Sequence, residues 1–284
     1  MSRSPLFARI AVIGTGLIGG SLARALKQRG LAGRVVGVAR TEATRRLCVE
    51  RGIVDEATPD PAVAAEGADL VYIAAPLPDT EAILRAVEPV VTPGTLVTDA
   101  GSVKRPIVEL GEAIIGAKAL FVGGHPLAGS EQQGAAHASA DLFVGRPYLL
   151  TPGPEATDEA LDLARRLAEG VEADPILVMD PGAHDRLVAR ISHLPHLVAA
   201  TLVRAAALGA GEPVGTGFLS TTRIAAGPAR MWREIIERNS EHVLAALGRF
   251  EQALAQVRRA LADDDWEALE ALLEEAARAR RRHS

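Results

Sequence analysis

The sequence predicts a doubly wound α/β domain with a parallel sheet, followed by an all-helical domain. Three observations carry that prediction. Short β-branched runs alternate with helix-period stretches through about residue 150, a glycine-rich turn follows the first run, and strand signals cease after Asp180. The runs are ARIAVIG, RVVGVA, DLVYIAA, TLVTDA and ALFVGG, with YLLTP (148 to 152) and PILVM (175 to 179) as further strands around the helical EATDEALDLARRLAEG. Strands separated by helices pair in parallel through right-handed crossovers, so residues 1–180 are expected to form one sheet domain. Pro181 and Gly182 in MDPGAHD punctuate the change of class, and residues 181–284 are expected to form the helical one. In its long helix, Leu247, Phe250, Leu254, Val257 and Leu261 recur at spacings of three and four. Either another helix of the same chain or a second copy must cover that narrow apolar seam.

Composition removes several function classes. A formal charge of -5 and an aromatic share of 3% provide neither a basic footprint nor stacking platforms, so no nucleic-acid partner is expected. The single cysteine, Cys48, has no intrachain disulfide partner, and no Cys/His cluster has metal-ligand spacing, so no metal is expected. No run approaches the roughly 20 apolar residues of a membrane helix, and no apolar signal core precedes the first strand. A soluble, cytoplasmic protein without a membrane partner is the expectation.

The stretch IAVIGTGLIGGSLARAL (10 to 26) is a strand, a G-x-G-x-x-G turn and a helix, the context in which this pattern binds a dinucleotide. Gly14 permits the tight turn, Gly16 lets the backbone approach a pyrophosphate, and Gly19 lets helix and strand pack closely. The helix N-terminus, with free N–H groups and a positive dipole end, would receive the anion. The predicted sheet is therefore of the Rossmann type. NAD sites usually place an acid at the end of the second strand for the ribose 2′-hydroxyl; here the chain reads Val38-Ala39-Arg40-Thr41. Arg40 suits a 2′-phosphate, which favours NADP. NAD stays open, because Arg40 also fits a solvated loop and Glu42 is close by.

Four stretches gather polar groups where a core would not: DAGSVK (99 to 104), GGHPLAGSE (123 to 131), ISHLPH (191 to 196) and STTRIA (220 to 225). The first two follow predicted strands, which puts Ser102 and His125 at the carboxyl edge of the sheet, where doubly wound folds bind ligands. The other two belong to the helical half. A cleft between the two domains is expected.

In that order, VIGTGLIGGSLARAL, DAGSVK, GGHPLAGSE, AHD, SHLPH and TTRIA, followed by MWREIIERN, resemble the prephenate and arogenate dehydrogenases of tyrosine biosynthesis, over roughly residues 8 to 260. The resemblance implies oxidative decarboxylation: hydride passes from the ring carbon bearing the hydroxyl to the nicotinamide, the ring carboxylate leaves as CO2, and the ring becomes aromatic. It makes His125 the catalytic base and Ser102 the residue that orients it and the nicotinamide; serine in a βα turn also reads as an ordinary helix N-cap. It gives Arg223 to a substrate carboxylate, His196 to the substrate side chain, and Glu131, Asp185 and Trp232 to the pocket around them. Asp185, paired with His184, would balance Arg223, and His193 would keep a structural hydrogen bond. Leu17, Ile18, Thr41, Ala75 and Pro76 join Gly14, Gly16, Gly19, Arg40 and Ser102 around the cofactor. Prephenate is favoured over arogenate, because a charged His196 would repel an ammonium. A homodimer through the C-terminal helices is expected; some relatives add a regulatory domain, and none is expected here, since the sequence starts near the first strand and ends after the last helix. An ordinary histidine pKa of about 6.5 predicts turnover efficiency rising through roughly pH 6 to 7.

Overall fold

A computed structural model describes residues 4–129, 132–209 and 211–282. Its first half is an eight-stranded sheet: β1 (Phe7–Ile13), β2 (Ala32–Val38), β3 (Glu56–Thr58), β4 (Leu70–Ile73), β5 (Leu96–Asp99), β6 (Leu120–Pro126), β7 (Tyr148–Thr151) and β8 (Ile176–Val178). The order is β3-β2-β1-β4-β5-β6-β7-β8, so the chain reverses its winding direction between β1 and β4. Alternate residues of the central strands feed opposite cores. Ile10, Val12, Leu70 and Tyr72 pack on one face, while Ala11, Ile13, Val71 and Ile73 pack on the other. Burial on both faces explains why these strands read as continuous apolar runs.

Helices α1 (Leu17–Gln28), α2 (Glu42–Glu50), α3 (Pro61–Ala65), α4 (Thr80–Val87), α5 (Arg105–Ile114) and α6 (Asp158–Gly170) accompany the strands. Side-chain caps start several of them: Thr41 accepts from the Thr44 N–H at α2, Asp60 from Ala62 at α3, and Thr157 from Ala160 at α6. Two features depart from the sequence reading. The three-residue β3, Glu-Ala-Thr, is too short and polar to announce itself, and β7 runs antiparallel to β6. The segment between β6 and β7 offers only the 3-10 turn Ala135–His137 among its described residues, so no crossover helix returns the chain for a parallel pairing.

From Pro181 onward the described chain is helical: α7 (Pro181–Val188), a π turn (Ala189–His193), α8 (Leu194–Ala206), α9 (Thr216–Thr222), a 3-10 turn (Arg223–Ala226), α10 (Ala229–Arg238), α11 (Ser240–Ala262) and α12 (Trp266–Arg281). The π turn has a chemical cause. Pro195 has no N–H to give the Ile191 carbonyl, and the helix widens so that the Leu194 N–H reaches back five residues to Ala189. The helical core is small, with Ala189, Val243 and Ala246 buried against Leu194, Leu197 and Ile236. α12 packs on α11 but leaves Leu254 and Leu261, at 55% and 49% exposure, uncovered.

Candidate active site

The glycine loop makes a cradle by omission. Gly14 has a φ of +95°, and a Cβ there would meet the Ala74 carbonyl oxygen at 2.4 Å; at Gly19 it would meet the Gly14 carbonyl oxygen at 2.1 Å. Gly16 differs, since a Cβ there would meet nothing within 4 Å. Its missing side chain leaves open space in front of α1. That helix begins with neither a side-chain cap at Gly16 nor an acid in its first turn, so its N–H groups face outward uncompensated. These features fit a dinucleotide pyrophosphate. Leu17 and Ile18 open the helix, and the Ala74-Ala75 peptide lies against Gly14, which brings the loop carrying Ala75 and Pro76 beside the cradle. Arg40 is exposed just beyond β2, with the N-cap Thr41 next to it, while Glu42 is paired with Arg46.

The carboxyl ends of β5 and β6 are locked by a buried ion pair. Lys104 and Asp99 are 0% and 2% exposed; the ammonium binds the Asp99 carboxylate and donates to the Gly124 carbonyl at 2.7 Å. Asp99 also accepts from the N–H groups of Gly101, at 2.7 Å, and Gly124, at 3.2 Å. Burial pulls the Lys104 pKa down while Asp99 pushes it back up. The Gly123-Gly124 pair allows this closeness, since a Cβ on Gly124 would meet the Asp99 carbonyl oxygen at 2.7 Å.

His125 follows immediately and begins a chain of three ionisable groups. Its Nδ1 lies 2.9 Å from His184 Nε2, and His184 Nδ1 lies 2.7 Å from Asp185 Oδ1. Asp185 in turn accepts from the backbone N–H of Lys104 at 2.7 Å and of Arg105 at 2.9 Å, capping α5 from across the domain boundary. Burial would raise Asp185, yet His184 and these two N–H donors outweigh it and hold the carboxyl below its usual range. Burial lowers His184, against the pull of Asp185. The tautomers then follow. The Asp185 carboxylate accepts from the His184 Nδ1–H, a neutral His184 presents a bare Nε2, and His125 donates its Nδ1–H to it. His125 is left with an unprotonated Nε2, the arrangement of a general base.

Beside His125 lies a cavity of about 300 Å³, lined also by Pro126, Leu127, Ala128, Ile191 and Ser192. Its far wall is thus the π turn. Farther along, His196 stacks on Trp232 with ring centroids 3.7 Å apart, and His193 meets the same indole edge-on at 6.2 Å. Gly227 seats the indole, since a Cβ there would lie 2.5 Å from Trp232 Nε1. The turn that starts with the exposed Arg223 packs against α8, the helix that carries His196.

A family model described as prephenate dehydrogenase, nucleotide-binding domain, matches residues 22–177, and one described as prephenate dehydrogenase, dimerization domain, matches residues 180–275. The chain belongs to the prephenate dehydrogenase family. The prephenate dehydrogenase of Bacillus subtilis (strain 168) is 31% identical over 267 residues, which cover 92% of this chain and 72% of that protein. The crystal structure of prephenate dehydrogenase from A. aeolicus, in complex with hydroxyphenyl propionate and NAD+, matches with a TM-score of 0.90 at 31% identity and covers 98% of both chains. Synechocystis arogenate dehydrogenase matches with a TM-score of 0.83 at 32% identity, over 97% of this chain and 100% of that one. As a member of this family the chain is a dehydrogenase that uses a nicotinamide nucleotide.

Several residues of this prephenate dehydrogenase family member stand elsewhere than expected. Ser102 does not cap α5; it lies half-buried in the preceding loop, and Asp185 does the capping. The Asp185 carboxylate, 2% exposed and held by three donors, is turned to His184 and α5 and not to a substrate carboxylate or Arg223. The ordinary histidine pKa behind the expected activity rise through pH 6 to 7 does not hold for His125. Burial, with His184, Lys104 and His193 nearby, holds His125 well below its ordinary value. Glu131 lies outside the described residues. Among the described residues no helix is long and apolar enough to cross a membrane, and no group of three His, Cys, Asp or Glu stands ready for a metal ion. Two further contributors are Lys104, which DAGSVK places beside Ser102 without showing its role, and Asn239, the last residue of MWREIIERN, for which the motif gives no signal.

Proposed function

We propose that the protein catalyses the oxidative decarboxylation of prephenate to 4-hydroxyphenylpyruvate, with NADP+ as the preferred oxidant. The observation that carries this reading is the chain from Asp185 through His184 to His125, which ends in a bare Nε2 on a residue of the cavity wall. His125 Nε2 takes the proton of the ring hydroxyl as the adjoining C–H bond gives up its hydride and the C–CO2 bond breaks. The bound nicotinamide supplies the hydride acceptor. The imidazolium formed on His125 is stabilised through His184 by the Asp185 charge, and it returns the proton to the phenolate oxygen of the product. No proton is gained or lost overall.

Gly14, Gly16 and Gly19 hold the pyrophosphate against α1, with Leu17, Ile18, Ala75 and Pro76 beside it, and Arg40 and Thr41 meet the 2′-phosphate. Ser102, in the loop after β5, orients His125 and the nicotinamide. His196, Arg223 and Trp232 hold the substrate's side chain and carboxylate. His196 is neutral, because burial lowers it despite the Ile224 carbonyl beside it, so it repels an ammonium less than a charged ring would. The repulsion expected of a charged His196 therefore does not favour prephenate; the similarity to the Bacillus subtilis prephenate dehydrogenase supports that choice, and arogenate is the competing substrate. Asp185 acts as a positioning residue through His184. The uncovered seam at Leu254 and Leu261, in the half matched by the dimerization-domain model, supports a homodimer through the C-terminal helices.

Purified protein assayed with prephenate or arogenate, each with NAD+ or NADP+, tests the reading through formation of the reduced nicotinamide. Prephenate with NADP+ is expected to give the highest kcat/KM. Silence in all four combinations from a protein that binds NADPH would overturn it in favour of a nucleotide sensor.

A further inference from the structure

His193 is a buried imidazole that the mechanism above leaves unused. It is 1% exposed and sits at the end of the π turn, one residue after Ser192 of the cavity wall. Its proton can be placed from its neighbour. Asn239 Nδ2 donates to the Asp185 carbonyl at 2.9 Å and lies 3.2 Å from His193 Nδ1. An amide nitrogen only donates, so His193 Nδ1 is the bare acceptor and the proton of the neutral ring is on Nε2. Neutrality follows from burial, which pushes the pKa down to about 4.

The Nε2–H is therefore a buried donor, and it has no partner among the described residues. Such groups are rare in folded proteins, and leaving one unmade forfeits the hydrogen bond it made with water. The direction is set by the anchor. Nδ1 faces Asn239 at the start of α11, so Nε2, on the opposite side of the ring, faces away from that anchor. Around the ring stand Trp232 edge-on, His196 stacked on that indole, and His125 of the cavity wall, close enough for a charge on His193 to lower its pKa.

We propose that His193 Nε2–H is a ligand-binding donor that closes on an oxygen acceptor when the cleft fills: a carboxylate or keto oxygen of the substrate, or the carboxamide oxygen of the nicotinamide. The proposal rests on the dehydrogenase reading of the site. It assigns His193 a contact with ligand in addition to its anchor on Asn239.

The test compares His193→Asn, whose side-chain oxygen can still accept from Asn239 but which lacks the distal donor, with His193→Gln, which restores an N–H near the Nε2 position. Binding of 3-(4-hydroxyphenyl)propionate to protein saturated with NADP+, binding of NADP+ alone, and steady-state KM and kcat are measured for each. Loss of a hydrogen bond to a charged oxygen is expected to weaken hydroxyphenylpropionate binding and raise KM roughly 10- to 100-fold in His193→Asn. NADP+ binding and Tm stay near wild type, and His193→Gln recovers most of the loss. A loss confined to NADP+ binding would support the donor and assign the carboxamide as its acceptor. Unchanged binding of both ligands to His193→Asn would overturn the proposal.

Nitrogen-15 NMR of the wild-type imidazoles gives a readout that needs no variant. The His193 signal is expected to show an Nε2–H tautomer whose shift moves on hydroxyphenylpropionate or NADP+ addition. An Nδ1–H tautomer, or no movement with either ligand, would overturn the assignment. Wild-type protein that binds neither ligand would overturn the dehydrogenase reading and this proposal together.

Discussion

The two ends of the cleft are built by opposite means. The cofactor end is made of absent side chains: Gly14 and Gly19 admit the backbone of their neighbours, and Gly16 leaves the start of α1 bare. The proton end is made of crowded ones, with Asp185, His184 and His125 in line and a buried Lys104–Asp99 pair beneath them. The first needs one contiguous stretch of chain. The second is assembled from β5, β6, α5 and α7, so it depends on how the helical half docks on the sheet.

The comparison is broken most strongly at the proton end. His125→Asn is expected to lower kcat between about 100- and 10,000-fold, the usual contribution of a positioned general base, while nucleotide affinity stays within a few-fold. Titration calorimetry with NADP+ and steady-state rates measure the two sides. Equal losses in both would mean that the two ends are not separately built.

Acid should strike the same end next. His193 has a pKa of about 4 in the folded protein, against an ordinary value of 6.5. Between those values the unfolded chain binds a proton that the native ring refuses, so stability is undiminished above pH 6.5 and falls as the pH drops toward 4. The loss from this group reaches about 3 kcal/mol, and His125, His184 and His196, all lowered by burial, act in the same direction. Urea unfolding at pH 7.5 and pH 5 measures it. A midpoint that does not fall would show these rings to be solvated.

At the cofactor end, two neighbouring glycines should respond differently. Gly16→Ala meets no protein atom within 4 Å, so Tm is expected to hold while NADP+ affinity falls by roughly 10-fold or more through collision with the pyrophosphate. Gly19→Ala places a methyl group 2.1 Å from the Gly14 carbonyl oxygen and should lower Tm as well. Thermal melts with and without NADP+ separate these effects. A smaller change is expected from Arg40→Ala, about a 10-fold loss in kcat/KM for NADP+ with little change for NAD+, since one charge-assisted contact is removed. Equal effects on both nucleotides would remove Arg40 from the 2′-phosphate.

This division also explains what could be read in advance. The glycine loop, the alternation of strands and helices, and the placement of Ser102 and His125 at the sheet edge are local patterns, legible because periodicity and spacing act over a few residues. β3 was too short and polar to register. The widened turn at Ala189–His193 was hidden inside a helix pattern whose Pro195 announced a local constraint without its consequence. The motif points Asp185 toward the substrate pocket, because nothing local reveals that its carboxylate reaches 80 residues back to Arg105. Asn239, in a plain helical run, carried no signal of its bridge between the Asp185 carbonyl and His193. Non-local partners decide the tautomers, and the tautomers decide the chemistry.

The central claim is that burial, with His184, Lys104 and His193 nearby, keeps His125 a neutral base well below the pH at which an ordinary histidine titrates. The pH dependence of kcat/KM for prephenate, measured from pH 5.5 to 8 with stability checked at each point, tests it most directly. The account predicts a profile that is flat between pH 6 and 8, with its acid limb below that range. A profile that climbs with a midpoint at or above about 6.5, the value of a solvated imidazole, would contradict it.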